Sequence, residues 1–198
     1  MKAFGKFILA ACAVLGMSVC FTGCNYNAMV AADEAVESQW AQVQNQYQRR
    51  MDLIPNLVNT VKGYAKHESD VFTQVTEARS KAGGQINVDS SILTDPEAFA
   101  RYQKIQDELG SSLQRLMAVS ENYPELKADQ NFLALQDELE GTENRIATER
   151  KRYNDMVKTY NNLIRRFPGN IFAGMYGFEK RSYFQAAAEA QTAPSVEF

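Results

Sequence analysis

The chain's single histidine, His67, is followed by Glu68, and the pair opens like the HExxH helix, in which two imidazoles hold zinc and the glutamate is the general base. The second ligand would have to stand at position 71, which is Val71, so the zinc-protease reading fails. A ferritin-like di-iron bundle needs Glu three residues before His, and Tyr64 holds that position. A serine triad would need His67 as its base, and no nucleophile-elbow motif surrounds any serine. Gly83-Gly84 is not followed by the Lys-Ser or Lys-Thr of a phosphate-cradling loop. Cys12, Cys20 and Cys24 all lie inside or at the end of the first 24 residues, leaving no thiol beyond them for a disulfide or a nucleophile. These residues predict no cofactor, no metal and a protein that is not an enzyme.

The remaining candidates are charges on otherwise apolar stripes. Arg50, Glu68 and Glu149 interrupt such stripes, where an unpaired charge would be costly, so each needs a partner or water. One reading makes them structural ion pairs that fix register. The other, a ligand-binding sensor or an enzyme, gathers Arg50, Asp52, Glu68 or Glu149 in a wet pocket between helices.

Long helices must position these groups. Alternate steps of four and three from Val36 run through Trp40, Val43, Tyr47, Arg50, Ile54, Leu57, Val61, Tyr64, Glu68, Val71, Val75, Ala78 and Ala82, and twelve of the fourteen are apolar or aromatic. That spacing predicts one helix of about 50 residues, about 80 Å long, kinked at Pro55 and ended by Gly83-Gly84. A break between Arg49 and Pro55 is the main alternative. Asp95-Pro96-Glu97 starts a second helix with seam Ala98, Tyr102, Ile105, Leu109, Ser112, Leu116, Val119 and Tyr123, stopped at Asn122-Tyr123-Pro124. A third, from about Lys127 to Arg166, carries Phe132, Leu135, Leu139, Thr142, Ile146, Glu149, Tyr153, Met156, Tyr160, Leu163 and Phe167 before Pro168-Gly169.

The fold class expected is all-α, an antiparallel up-down bundle of three long helices with a short C-terminal helical segment. Short loops would then put Arg49-Arg50-Met51-Asp52 near Glu121 and Glu125. Trp40 and Tyr47 would protrude toward the membrane unless residues 170–190 or another copy cover them. The aromatic stretch with Phe172, Tyr176 and Phe178 reads either as a cap over the bundle end or as a docking surface.

Composition and address set the setting. The net charge is −3, and without residues 1–23, which hold Lys2 and Lys6 and no acid, 19 bases face 24 acids, or −5; no nucleic-acid partner is expected. Lys2 and Lys6 precede the apolar run Phe7 to Phe21, of signal-peptide length. Phe21-Thr22-Gly23-Cys24 resembles a bacterial lipobox, with Phe21 in place of the usual Leu, so Cys24 is the expected lipidation site. An uncleaved transmembrane helix is the alternative anchor. The expected organisation is a leader over 1–23, a lipidated tether over 24–27, a bundle over 28–190 and a flexible tail over 191–198.

The strings RRMDLIPNLVNTVKGYAKHE (49–68), TEAR (76–79), ENYPELKADQNFLALQDELEGTENRIATERKRYNDMVKTYN (121–161) and RRFPGN (165–170) resemble the LemA family. The resemblance implies a single-anchor membrane protein with an extracytoplasmic helical bundle, usually described as four helices, and no established enzymatic activity. It also implies envelope partners at a membrane, relatives having been associated with envelope maintenance and, in magnetosome-forming bacteria, with organelle assembly. The expected function is therefore a membrane-anchored scaffold or adaptor of the cell envelope, probed first at Trp40, Tyr47, Arg49, Arg50, Asp52, Glu68, Glu121, Glu149, Phe172, Tyr176 and Phe178.

Overall fold

The computed structural model describes residues 2–84 and 88–185, with side chains from Asn25 onward. The expected leader's side chains, the Cys24 thiol and the tail over 191–198 lie outside it. Helix α1 spans Lys2–Tyr64, α2 Ser69–Gly83, α3 Pro96–Val119, α4 Pro124–Lys127, α5 Gln130–Arg165 and α6 Gly169–Tyr176; short 3-10 turns cover Ser90–Leu93 and Ser120–Asn122. No strand occurs among the described residues.

The seam from Val36 is buried at every step to Val61, Arg50 included. Pro55 stays inside α1. A proline gives no N–H to the carbonyl four residues earlier, here that of Met51, and Arg79 Nε of α2 approaches that oxygen at 3.5 Å.

The expected 50-residue helix is corrected at Ala65. There α1 ends, Ala65 buries itself at the apex, and α2 doubles back so that Phe72 lies by Lys62 and Gly83 by Met51. The apolar spacing runs on across the turn because α2 presents Phe72, Val75 and Ala82 to the same core that α1 faces. A seam records which core a residue faces, and that core is shared by both directions of the chain.

This reversal resets every later level. α3 runs parallel to α1, with Trp40 beside Phe99 and Glu68 beside Tyr123, and α5 returns antiparallel, with Tyr64 bonded to Asp129 and Gln39 to Glu149. Asp95 caps α3 by accepting from Glu97 and Ala98 N–H at 2.9 and 3.0 Å behind Pro96, as its sequence calls for. Asp129 caps α5 by accepting from Phe132 N–H at 2.8 Å.

The far half of the bundle, from Met51 onward along α1, is a four-helix arrangement of α1, α2, α3 and α5 around aliphatic side chains such as Leu57, Val61, Leu109, Leu116 and Leu139. α2 is too short to reach the near half, where the core is aromatic: Trp40, Tyr47, Phe99, Tyr102, Tyr153, Tyr160 and Phe184. Here the fourth element is a strap without helix, residues 177–185. Gly177, at φ 77° in the left-handed region, turns the chain out of α6 into this strap.

Candidate functional site

Between the two cores lies a belt of charge. Arg50 of α1 is 2% exposed and donates from Nη1 to Glu143 of α5 at 3.1 Å and from Nη2 to the Gln106 carbonyl and side chain of α3 at 3.1 and 2.6 Å. One turn nearer the N-terminus, Arg150 of α5 donates from Nε to the Tyr47 hydroxyl at 2.6 Å and from Nη2 to Asp107 at 2.8 Å. Both guanidiniums lie over the Tyr47 ring, 5.2 and 5.4 Å from its centre. Three helices thus share two cation clusters, and a one-residue slip of any helix would leave a charge buried without its partner.

Burial raises the Tyr47 and Tyr102 phenols above the ordinary tyrosine value and pushes Tyr160 up to about 12. These hydroxyls remain protonated at neutral pH; that of Tyr47 accepts from Arg150, and that of Tyr102 is buried without a partner among the described residues. Tyr160 donates to the Glu179 carbonyl at 2.9 Å and Tyr153 to the Ser182 carbonyl at 3.1 Å.

The strap is held by a ladder of side-chain amides. Asn161 accepts from Arg181 N–H at 3.0 Å and donates to the Arg181 carbonyl at 2.9 Å. Asn154 does the same for Phe184, at 2.9 and 3.0 Å, and Gln103 of α3 for Gln185, at 3.0 and 2.7 Å. Seven residues of helix rise about 10.5 Å and three of extended chain about 10 Å, so Asn154 and Asn161 match Phe184 and Arg181 in step. Arg181 then reaches α1, donating to both oxygens of Asp33 at 2.9 and 3.0 Å.

The strap answers where Trp40 and Tyr47 go. Residues 170–190 were one expected cover for them, and Phe184 indeed packs 6.1 Å from the Trp40 ring, which also meets Tyr102 at 5.2 Å and Phe99 and Tyr153 at 5.8 Å. Trp40 is 3% and Tyr47 0% exposed, so neither offers a docking surface.

The motif 49–52 does not meet Glu121 and Glu125. Arg49 pairs on the surface with Glu138 at 3.0 Å, while Glu121 stands exposed in the far-end turn, at the level of residues 64–68, because the chain reverses at Ala65 rather than at Gly83. Asp52 is exposed and accepts from Gln48 of its own helix at 2.7 Å. Glu68 accepts from Tyr123 at 3.2 Å, and Glu149 from Gln39 at 2.6 Å and Arg152 at 2.7 Å. Arg50, Asp52, Glu68 and Glu149 therefore occupy four separate places and share no pocket. Of the aromatic stretch, Phe172 and Phe178 are half-buried against the near core and Tyr176 is exposed.

An open cleft of about 580 Å³ lies between the end of α1 and α2, lined by Lys62, Lys66, Ser69, Phe72, Thr73, Thr76 and Glu77 and by none of the sequence candidates. Among the described residues, no three His, Cys, Asp or Glu side chains are grouped so as to hold a metal ion. The amide ladder and the Arg150 cluster escape a search for apolar periodicity; the seven-residue spacing of Asn154 and Asn161 was a signal for the ladder alone.

Magnetosome protein MamQ 2 of Paramagnetospirillum magneticum is 29% identical over 182 aligned residues, covering 84% of this chain and 67% of that protein. Magnetosome protein MamQ of Magnetospirillum gryphiswaldense is 27% identical with the same coverage, and Protein LemA of Metamycoplasma hominis is 22% identical over 161 residues, covering 81% and 69%. The family model described as LemA matches residues 39–198, taking in the charged belt and the whole strap, and the chain belongs to the LemA family.

Proposed function

We propose that the chain is a non-catalytic scaffold of the bacterial cell envelope, anchored to a membrane at its N-terminus, with its bundle outside the cytoplasm and in contact with envelope proteins or further copies of itself. The observation that carries this reading is where the charged seam residues are spent. Arg50, Glu68 and Glu149 each bond to a different neighbouring element, pinning register, and leave no shared chemical site among them. What the body presents is a rod about 60 Å long from Asn25 to Tyr64. Its mechanism is positioning. The magnetosome names of two relatives are in keeping with work inside an organised assembly.

The test is a photoreactive residue at Leu133 or Met156, both exposed on α5, in intact cells. Recurrent capture of one envelope protein, or of the chain itself, is expected; no protein adduct from either position would sink the scaffold reading. The form of the anchor has its own test. Cys24→Ala should abolish fatty-acid incorporation, and unchanged incorporation or maturation would remove the lipid anchor and leave the uncleaved helix.

A further inference from the structure

We propose that the near tip of the bundle, made by Tyr26 and Val30 of α1, Phe167, and Ile171, Met175 and Tyr176 of α6, rests in the interface of a phospholipid bilayer. The proposal builds on the N-terminal anchor proposed above and adds a second point of contact, made by a helix some 150 residues later in the chain.

Six of the ten large hydrophobic side chains that stand exposed among the described residues are at this one end. Phe167 is 81%, Met175 67%, Ile171 56% and Tyr176 52% exposed, while the other four, Tyr64, Leu133, Met156 and Tyr183, are spread along the body. The start of α1 and the end of α6 meet there, for the Tyr26 ring centre lies 4.8 Å from that of Tyr176, and Met29 of α1 lies against Gly169 at the start of α6. Exposed apolar side chains gathered at one end of a molecule mark a binding face, unlike the isolated exposed side chain.

α6 is built to present that face. Its inner residues, Gly169 and Ala173, are buried, and a Cβ at Gly169 would run into the Leu163 carbonyl, so glycine is what lets α6 turn tightly off the end of α5. Ile171 and Met175, four residues apart, then point outward together. Their exposure contributes nothing to the bundle core.

The place of the patch identifies its occupant. Tyr26 is two residues from Cys24, a reach of about 3 Å in a helix or about 7 Å extended, and five from the end of the apolar run at Phe21. Whether the anchor is acyl chains on Cys24 or the apolar run itself, the patch is held at the bilayer surface. Arg165 and Arg166, exposed where α5 ends, suit anionic headgroups, while Lys180 is offset by Glu179 and by Glu34, exposed one turn beyond Val30. Tyrosines among exposed apolar side chains are the composition of an interfacial helix.

The full chain, isolated from cells and reconstituted in vesicles of phosphatidylethanolamine and phosphatidylglycerol, tests this with a benzophenone side chain at Ile171 or Met175 and, for comparison, at Leu133. Flotation with the vesicles reads the anchor, and mass spectrometry of photoadducts reads the tip. Flotation with phospholipid adducts at Ile171 and Met175 and none at Leu133 is expected. Flotation without lipid adducts at either α6 position overturns the proposal and leaves the anchor standing, as do adducts there to a second copy of the chain. Failure to float refutes the anchor, and the tip contact with it.

Discussion

Arg181 and Asp33, 148 residues apart in sequence, meet through two nearly parallel hydrogen bonds of 2.9 and 3.0 Å that tie the strap to the near end of α1. The guanidinium is 11% and the carboxylate 24% exposed, so the pair is largely screened from solvent, and its planar fork is one that lysine cannot reproduce. Arg181→Ala should cost about 1.5–3 kcal/mol of stability. Hydrogen exchange should rise selectively over residues 178–185; equal exchange in wild type and variant would show that the strap does not depend on this pair.

Asn161→Ala removes one rung of the ladder and leaves the Arg181 N–H and carbonyl without their partners. A loss of about 1–3 kcal/mol in denaturant melts is expected. Asn161→Asp keeps the acceptor and loses the donor, so it should fall between wild type and alanine; a variant as stable as wild type in both cases would argue that water replaces the rung at no cost.

Arg79 and Pro55 should be energetically coupled through the Met51 carbonyl. Pro55→Ala returns an N–H to that oxygen, so Arg79→Ala should cost less in the Pro55→Ala chain than in wild type, by about 0.5–1 kcal/mol in a double-mutant cycle. Additive costs would mean that Arg79 acts elsewhere.

Asp129 carries a pH dependence of defined sign. Its carboxylate accepts from Phe132 N–H and from the Tyr64 hydroxyl, and these bonds hold its pKa below the ordinary carboxylate value. A group depressed in the folded state adds stability that is fully present above its unfolded pKa of about 3.9 and is lost as pH falls through the lower folded value. Melting temperatures of wild type and Asp129→Asn should therefore converge below about pH 4; a gap that persists unchanged into acid would contradict this linkage.

Much of the fold is legible in the sequence because it is written in apolar periodicity and caps. The seam from Val36 to Val61, the Asp95 cap and the stops at Tyr123-Pro124 and Pro168-Gly169 all follow from local chemistry. The reversal at Ala65 is hidden because α1 and α2 share a core. In α5 the seam slips by one position after Tyr153: Val157 and Ile164 are buried while Met156 is exposed, because a straight helix of 3.6 residues per turn drifts from a 3.5-residue repeat. Arg50, Glu68 and Glu149 are recognisable as residues that need partners, but the partners' identities depend on levels that the missed reversal sets. The strap lies beyond apolar periodicity, since its bonds come from amides, tyrosine hydroxyls and the Arg181 clasp to a segment with no repeat of its own.

The split core has a consequence for the order of synthesis. The far cluster draws on residues 51–139, whereas the near cluster waits for Phe184 and the Arg181 clasp. A growing chain can therefore complete its aliphatic half first, and the aromatic half closes only when the strap arrives to pair with the near end of α1. A released chain truncated after Arg166 should resist protease over the far half and be cut near Trp40. The part of the molecule first made is the part last finished.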